Sequence, residues 1–169
     1  MHLLFTGKPR VGKTTLIKKL IEGKRRIGGF YTEEIKEKGR RIGFKIITLD
    51  GKKGVLAKKD FRSKYKLGSY GINIDDLEKM GTDTLKRCLE DKNIETIVID
   101  EIGKMELFSG KFKEVVLKVL ESQKRILGTI HRADIPFLKK IKQRKDVKVI
   151  EVTRENRDEL LGKAKDLIF

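Results

Sequence analysis

The chain has 169 residues, one cysteine and a formal net charge of +16, with 39% charged and 38% hydrophobic residues. Apolar runs recur at regular intervals, which excludes a disordered polyelectrolyte, and the lone Cys88 excludes an intramolecular disulfide or a Cys-rich metal scaffold. No apolar run approaches the roughly 18 residues of a membrane span, and the N-terminus enters a strand without a signal-peptide pattern, so no membrane partner and a cytoplasmic location are expected.

Many Lys, Arg and Glu beside few amides (Gln123, Gln143, Asn73, Asn93, Asn156) is the pattern of hyperthermophile proteins. The positive charge admits a nucleic-acid partner. That reading is not favoured, because the basic residues spread along the whole chain, are read as lacking interleaved aromatics, and have no Trp to offer a stacking platform. A solvated surface that also attracts nucleotide phosphates accounts for the charge.

In chain order, His2 to Thr6 is a short apolar run stopped by Gly7 and predicts a buried strand. Leu16, Ile17, Leu20 and Ile21 form one stripe of a helix from Lys13 to Glu22. From Gly28 to Asp60 the chain is cut by glycines, with Gly28-Gly29 read as punctuation and Asp50-Gly51 as a hairpin signal. An antiparallel meander near residues 28–60, added to the edge of a main sheet, is expected there. Residues 60–74 read as loop, followed by a helix capped by Asp75 and ending near Glu90. Ile94 to Ile99 is a strand with Asp100 at its end. Ser109 caps a helix through Glu121, Arg125 to Ile130 is a strand, Asp134 to Lys142 a helix and Val147 to Val152 a strand. A last helix starts at Thr153 or Asn156 and ends near Ile168. Strands alternating with helices predict one α/β domain over residues 1–169, a mainly parallel sheet with helices on both faces.

Gly7-Lys8-Pro9-Arg10-Val11-Gly12-Lys13-Thr14 matches G-x-x-x-x-G-K-[ST] between a strand and a helix, the context a phosphate loop (Walker A) requires. The glycines let the backbone turn tightly and bring N–H groups against phosphate oxygens. The helix start at Lys13 and Thr14, with Thr15 following, adds a positive dipole end. Lys13 is a compact cation for the β- and γ-phosphates, and the Thr14 hydroxyl is a hard oxygen ligand for Mg2+. Lys8 and Arg10 are extra cations, with the Arg10 guanidinium either solvated or reaching the γ-phosphate.

Ile97-Val98-Ile99-Asp100-Glu101 is an apolar strand ending in two carboxylates, the Walker B pattern. Asp100 is expected to hold Mg2+ opposite Thr14, and Glu101 to polarise the attacking water and accept its proton. Ile102, Gly103 and Lys104 complete the turn. Asp100 to Gly103 also fits D-x-x-G, but no [NT]-K-x-D element is present to read guanine, which disfavours a dedicated GTPase. Thr129, His131 and Arg132 follow the next strand, where a polar residue can face the γ-phosphate. Glu106 either organises the catalytic turn or pairs with a lysine. His2 and His131 form no zinc-spaced set with the acids.

On these residues the chain resembles the small P-loop nucleoside-triphosphatase family first known from thermophiles, whose vertebrate member is the cancer-related NTPase. The matching elements are Gly7 to Thr15, Gly28 to Glu33, Arg41 to Phe44, Ile99 to Glu106 and Thr129 to His131, with Asp-Glu-Ile-Gly-x-Met-Glu the most specific. The resemblance implies a RecA-like sheet, Mg2+ dependence, and hydrolysis of ATP, GTP and other nucleoside triphosphates with little base preference. Arg10, where such loops often carry Gly, departs from the pattern. Two other readings stay open: a nucleotide or nucleoside kinase, whose acceptor could sit near Tyr65 to Asn73, and an NTP-switched nucleic-acid-binding module.

Overall fold

The computed structural model describes residues 1–169. All nine strands belong to one sheet in the order β5-β6-β4-β3-β2-β7-β8-β1-β9. They are β1 (His2–Thr6), β2 (Ile27–Glu37), β3 (Arg40–Thr48), β4 (Lys53–Lys59), β5 (Lys66–Leu67), β6 (Tyr70–Ile72), β7 (Thr96–Ile102), β8 (Arg125–Ile130) and β9 (Val147–Glu151). The run β2-β7-β8-β1-β9 is parallel throughout, and β3, β4, β6 and β5 extend it as antiparallel neighbours. The helices are α1 (Lys13–Ile21), α2 (Ile74–Asp76), α3 (Asp83–Glu90), α4 (Gly110–Glu121), α5 (Pro136–Lys142) and α6 (Arg157–Ile168). A π-helical segment, Leu77–Thr82, joins α2 to α3. No helix is long and apolar enough to cross a membrane.

Period-two alternation along the parallel strands divides the interior into two cores. Leu4, Ile97, Ile99 and Ile126 join Phe112, Val115, Val116 and Val119 of α4 on one side of the sheet. Leu3, Phe5, Val98 and Leu127 join Leu16, Ile17 and Leu20 of α1 and Leu160, Ala164 and Ile168 of α6 on the other. Strands β3, β4 and β6 feed only the first core, through Ile46, Leu56, Ala57 and Ile72.

The antiparallel region differs from the expected edge addition. β2 serves both halves: Ile27 to Phe30 pair with β7 in parallel, while Phe30 to Glu37 pair with β3. The strand therefore overruns the end of β7, and β3 and β4 rise beside that edge as a wall. Gly28 and Gly29 are not punctuation but lie inside β2, where β7 and α3 press close. A Cβ on Gly29 would stand 2.1 Å from the Val98 carbonyl oxygen, and one on Gly28 would stand 2.5 Å from Cys88 Sγ. Cys88 is a buried core residue.

Residues 60–74, expected as loop, contain the β5–β6 hairpin, whose turn uses Gly68 at φ +59°. Two residues of β5 are too few for a periodic signal. The next helix is capped by Asn73, whose side chain accepts from the Asp76 N–H at 3.1 Å, and not by Asp75. α5 begins at Pro136, whose fixed φ suits a first helical position, two residues beyond Asp134. Thr153 and Asn156 bond each other's N–H groups before α6 starts at Arg157.

Candidate active site

The site lies at the C-terminal edge of the parallel strands, where ligands of open α/β sheets bind. β1 runs into Gly7 and Gly12, both at positive φ (+147° and +107°). Gly7 lies against the Val152 carbonyl, 2.6 Å from an added Cβ, so only glycine fits this turn. No side chain caps the N-terminus of α1. The orphan N–H groups of its first turn therefore face a cavity of about 540 Å3 that Gly12, Lys13, Thr14 and Thr15 line. Lys13 Nζ donates to the carbonyls of Gly7 and Lys8, each at 2.8 Å, and holds the loop closed on itself. Burial lowers the Lys13 pKa, opposed by the nearby Glu101 and Asp100 carboxylates.

Asp100 is almost fully buried and its two oxygens are separately engaged. Thr14 Oγ1 donates to Oδ2 at 2.7 Å, and Thr129 Oγ1 donates to Oδ1 at 2.6 Å. Desolvation raises the Asp100 pKa, while these donors and Lys13 favour its charged form. Thr129, on β8 between β7 and β1, was expected to face the γ-phosphate, but it is fully buried, lies outside the cavity lining and turns its hydroxyl to Asp100.

In a regular strand Asp100 and Glu101 would face opposite ways. The β7–β8 register shifts between Ile99 and Ile102, and this irregularity lets both carboxylates line the cavity. Burial first, and the Asp100 charge second, push the Glu101 carboxyl up to about 7, with Lys13 pulling the other way. A carboxyl poised there can accept a proton near neutral pH. Glu106 is 3% exposed and makes no ion pair. Burial and the Glu101 charge raise its pKa well above the ordinary range, and it pairs with no lysine.

Of the other residues singled out in the sequence, Pro9, Arg10, Lys104, His131 and Arg132 also line the cavity. Val11 is nearly buried beside α1 and α6. Ile97, Val98, Ile99 and Ile102 are fully buried and hold the acidic turn from beneath without lining the cavity. Lys8 takes part through its carbonyl, which accepts from Lys13, and Gly103 is buried in the turn after the acids. Arg10 sits at φ +63° and turns its guanidinium to Glu34 on β2, at 3.3 Å. His131 accepts from the Ala133 N–H at 3.0 Å, and burial beside Lys104 and Lys142 lowers its pKa.

Sequence reasoning missed the far wall of the cavity: Glu34 of β2, Arg41 and Phe44 of β3, Leu56 of β4, Leu67 of β5, and Met105. Nothing in residue spacing brings β4 and β5 to a phosphate loop. The available signals were the resemblance around Arg41 to Phe44 and around Met105, and the Tyr65 to Asn73 segment that contains Leu67.

A phosphate loop closing a central parallel strand, with paired carboxylates on a strand two places away, defines the class: this is an α/β P-loop NTPase. Relatives narrow the class further. A family model described as NTPase matches residues 2–164. Nucleoside-triphosphatase THEP1 of Thermotoga maritima is 51% identical over 162 residues, spanning 96% of this chain and 92% of the relative. The human cancer-related nucleoside-triphosphatase is 40% identical over 175 residues, spanning 95% and 92%. The crystal structure of THEP1 from the hyperthermophile Aquifex aeolicus matches with a TM-score of 0.89 at 42% identity over 99% of both chains. The chain belongs to this nucleoside-triphosphatase family and is a nucleoside-triphosphate hydrolase.

Proposed function

We propose that the chain hydrolyses ATP, GTP and other nucleoside triphosphates in a Mg2+-dependent reaction with little base preference, using Lys13, Thr14, Asp100 and Glu101. The observation that carries this reading is their convergence: one cavity collects the loop amides, the Lys13 ammonium, the Thr14–Asp100 oxygen pair and the Glu101 carboxyl. The donor chemistry fits Mg2+. Thr14 and Asp100 offer hard oxygens 2.7 Å apart, and no cluster of three or more metal-ligating side chains forms an all-protein cage. That is the sparse protein set of a cation that keeps its waters and shares substrate phosphates. When bound, Mg2+ supplies charge neutralisation at the phosphate oxygens.

The residues themselves do the following. Loop N–H groups and Lys13 hold the β- and γ-phosphates and offset charge on the transferred phosphoryl group. Lys13 exchanges the Gly7 and Lys8 carbonyls for phosphate oxygens. Thr129 fixes the Asp100 carboxylate. Glu101 orients water and takes its proton. Breadth of substrate is supported by the missing [NT]-K-x-D element. A cytoplasmic, thermophile-type protein remains part of the reading, resting on the unpaired Cys88 and the 39% charged composition.

The test is phosphate release from ATP, GTP, CTP and UTP with and without Mg2+, beside Lys13→Ala and Glu101→Gln. Mg2+-dependent release from several triphosphates, lost in both variants, is expected. Release confined to one base, or unaffected by EDTA, would overturn the corresponding part.

A further inference from the structure

The charge of the chain is not evenly placed. Between Gly51 and Ile72 stand seven cations and a single acid, Asp60. Five of the cations, Lys58, Lys59, Arg62, Lys64 and Lys66, fall within nine residues that end β4, cross to the sheet edge and open β5. All five are exposed, and none makes an ion pair. Elsewhere acids stand close to the cations: Glu34 is shared by Arg10, Lys36 and Arg41, and Arg144 holds both Glu121 and Asp146. The sheet explains how the five gather. Lys58, Gly71 and Lys66 are register partners on three neighbouring strands. Lys58 and Lys66 therefore share a face, about 10 Å apart at about 4.8 Å per strand. The Phe61 carbonyl passes over Gly71, where an added Cβ would stand 1.9 Å from its oxygen, so the connecting segment is pressed onto that face.

Charge alone would suit a sheet edge kept free of other strands. The aromatic rings on this edge call for a partner. Phe61 is 37% exposed and Phe108 36%, and the Phe108 ring meets that of Tyr65 with centroids 5.9 Å apart. Lys64 lies 5.2 Å from the Tyr65 ring centroid, and Lys59 lies 6.0 Å from that of Tyr70. Edge protection needs no exposed phenyl faces. Cations alternating with ring faces match a polyanion with flat, unstacked bases: the phosphates take the charges and the bases take the rings. A duplex keeps its bases stacked on one another and offers the rings nothing. An acidic polypeptide would use the charges and leave the Phe61 ring without a partner.

We propose that the sheet edge from Lys58 to Lys66, with Phe108 beside it, binds single-stranded nucleic acid without preference for sequence. Phosphate oxygens lie against the five cations and a base stacks on Phe61. Lys66 adjoins Leu67 on β5, and Leu67 lines the nucleotide cavity. The bound strand therefore lies beside the hydrolytic site. None of the five cations, nor Phe61 or Phe108, lines that cavity, so the surface does not depend on how the triphosphate is cleaved.

The test is fluorescence anisotropy of a labelled oligothymidylate or oligouridylate of about 20 nucleotides, titrated with the full chain between about 50 and 300 mM salt. Binding is expected, tighter than to a duplex of equal length. Log Kd should rise with log salt at a slope of about 3–4, for five phosphate contacts at about 0.7 each. Lys64→Ala combined with Lys66→Ala is expected to lower that slope by about 1.4. Phe61→Ala is expected to weaken binding about five-fold or more at an unchanged slope, as loss of one stacked base does. Lys145→Ala combined with Lys148→Ala removes the same charge at the opposite edge of the sheet, at β9, and should change neither. All these side chains are exposed, and thermal unfolding reports that the variants are folded. No binding at about 100 mM salt overturns the site. Equal weakening by the Lys145 and Lys148 pair overturns its placement. A duplex bound as tightly, or Phe61→Ala without effect, overturns the stacked single strand. Displacement by polyglutamate at equal charge concentration overturns nucleic acid as the partner in favour of an acidic protein.

Discussion

In β1, β7 and β8 the residues Leu3 to Phe5, Ile97 to Ile99, and Ile126 and Leu127 are all fully buried, whereas Lys53, Lys58 and Lys59 of β4 stay in solvent. The parallel strands are covered by α4 on one side and by α1 and α6 on the other. The antiparallel strands join only the first of these cores. Two packed faces leave a strand end little freedom: Asp100 and Thr129 sit near such ends, and Lys13 and Thr14 open the helix that follows β1. One packed face leaves the other to meet a ligand. The contrast separates a platform that carries the phosphate loop and the paired acids from a wall that closes the cavity opposite them.

The largest effect that can test this contrast is loss of turnover. Glu101→Gln should lower kcat by about 10²–10⁴ while nucleotide still binds, as expected for a lost general base. Lys13→Ala should weaken binding as well. Steady-state kinetics and calorimetry distinguish the two, and turnover surviving in Glu101→Gln would move the chemistry off the parallel platform.

Stability comes next. Gly29→Ala forces a Cβ to 2.1 Å from the Val98 carbonyl at φ +119°, and should cost about 3 kcal/mol or more. Gly39→Ala, at φ +75° with nothing within 4 Å, should cost only about 1–2 kcal/mol, the ordinary penalty for that backbone region. Equal losses in urea unfolding would mean that the halves are equally constrained.

A charge effect of similar or smaller size is expected in metal-free protein. The Glu101 carboxyl, ordinarily near 4.5, is raised to about 7 on folding, so its protonated form is the favoured one in the native state. Its contribution to stability is fully present below about 4.5 and is lost as pH rises through 7. Glu101→Gln stays neutral and should match the wild type in acid. It should become more stable across that window and level off above it, by about 2–3 kcal/mol. Thermal unfolding in EDTA from pH 4 to pH 8 measures this, and a constant offset would show that burial of charge is not the cause. The smallest effect is that of Arg10→Ala. Its partner Glu34 lies on the wall and its own side chain is largely exposed, so NTP hydrolysis should change by less than about three-fold. A loss beyond ten-fold would place the guanidinium on the phosphates.

The platform was legible in the sequence because each piece is local. Gly7 to Thr14 and Ile97 to Glu101 are contiguous strings, and their continuous apolar runs mark buried parallel strands. Even Thr129 was accessible, as the hydroxyl on the strand after the acids. The wall was not legible, because it is assembled from residues far apart in the chain and from strands without a period. Gly28-Gly29 looked like turn glycines but answer a close approach by Val98 and Cys88, a tertiary demand with no local mark. One stretch departs from the expected separation of aromatic and basic residues: Phe61 and Tyr65 alternate with Arg62, Lys64 and Lys66. Arg10 could be placed only once Glu34 was seen beyond the end of β7.

The position of β1 has a consequence for how the molecule comes into being. β1 lies between β8 and β9, and His2 receives the Ile126 N–H across 124 residues of sequence. During synthesis the antiparallel hairpins can form from near neighbours, while Leu3, Leu4 and Phe5 stay without strand partners until the chain has passed β8. Maturation of the phosphate loop is therefore a late event, and nucleotide capture by a growing chain would report that its final strands have docked.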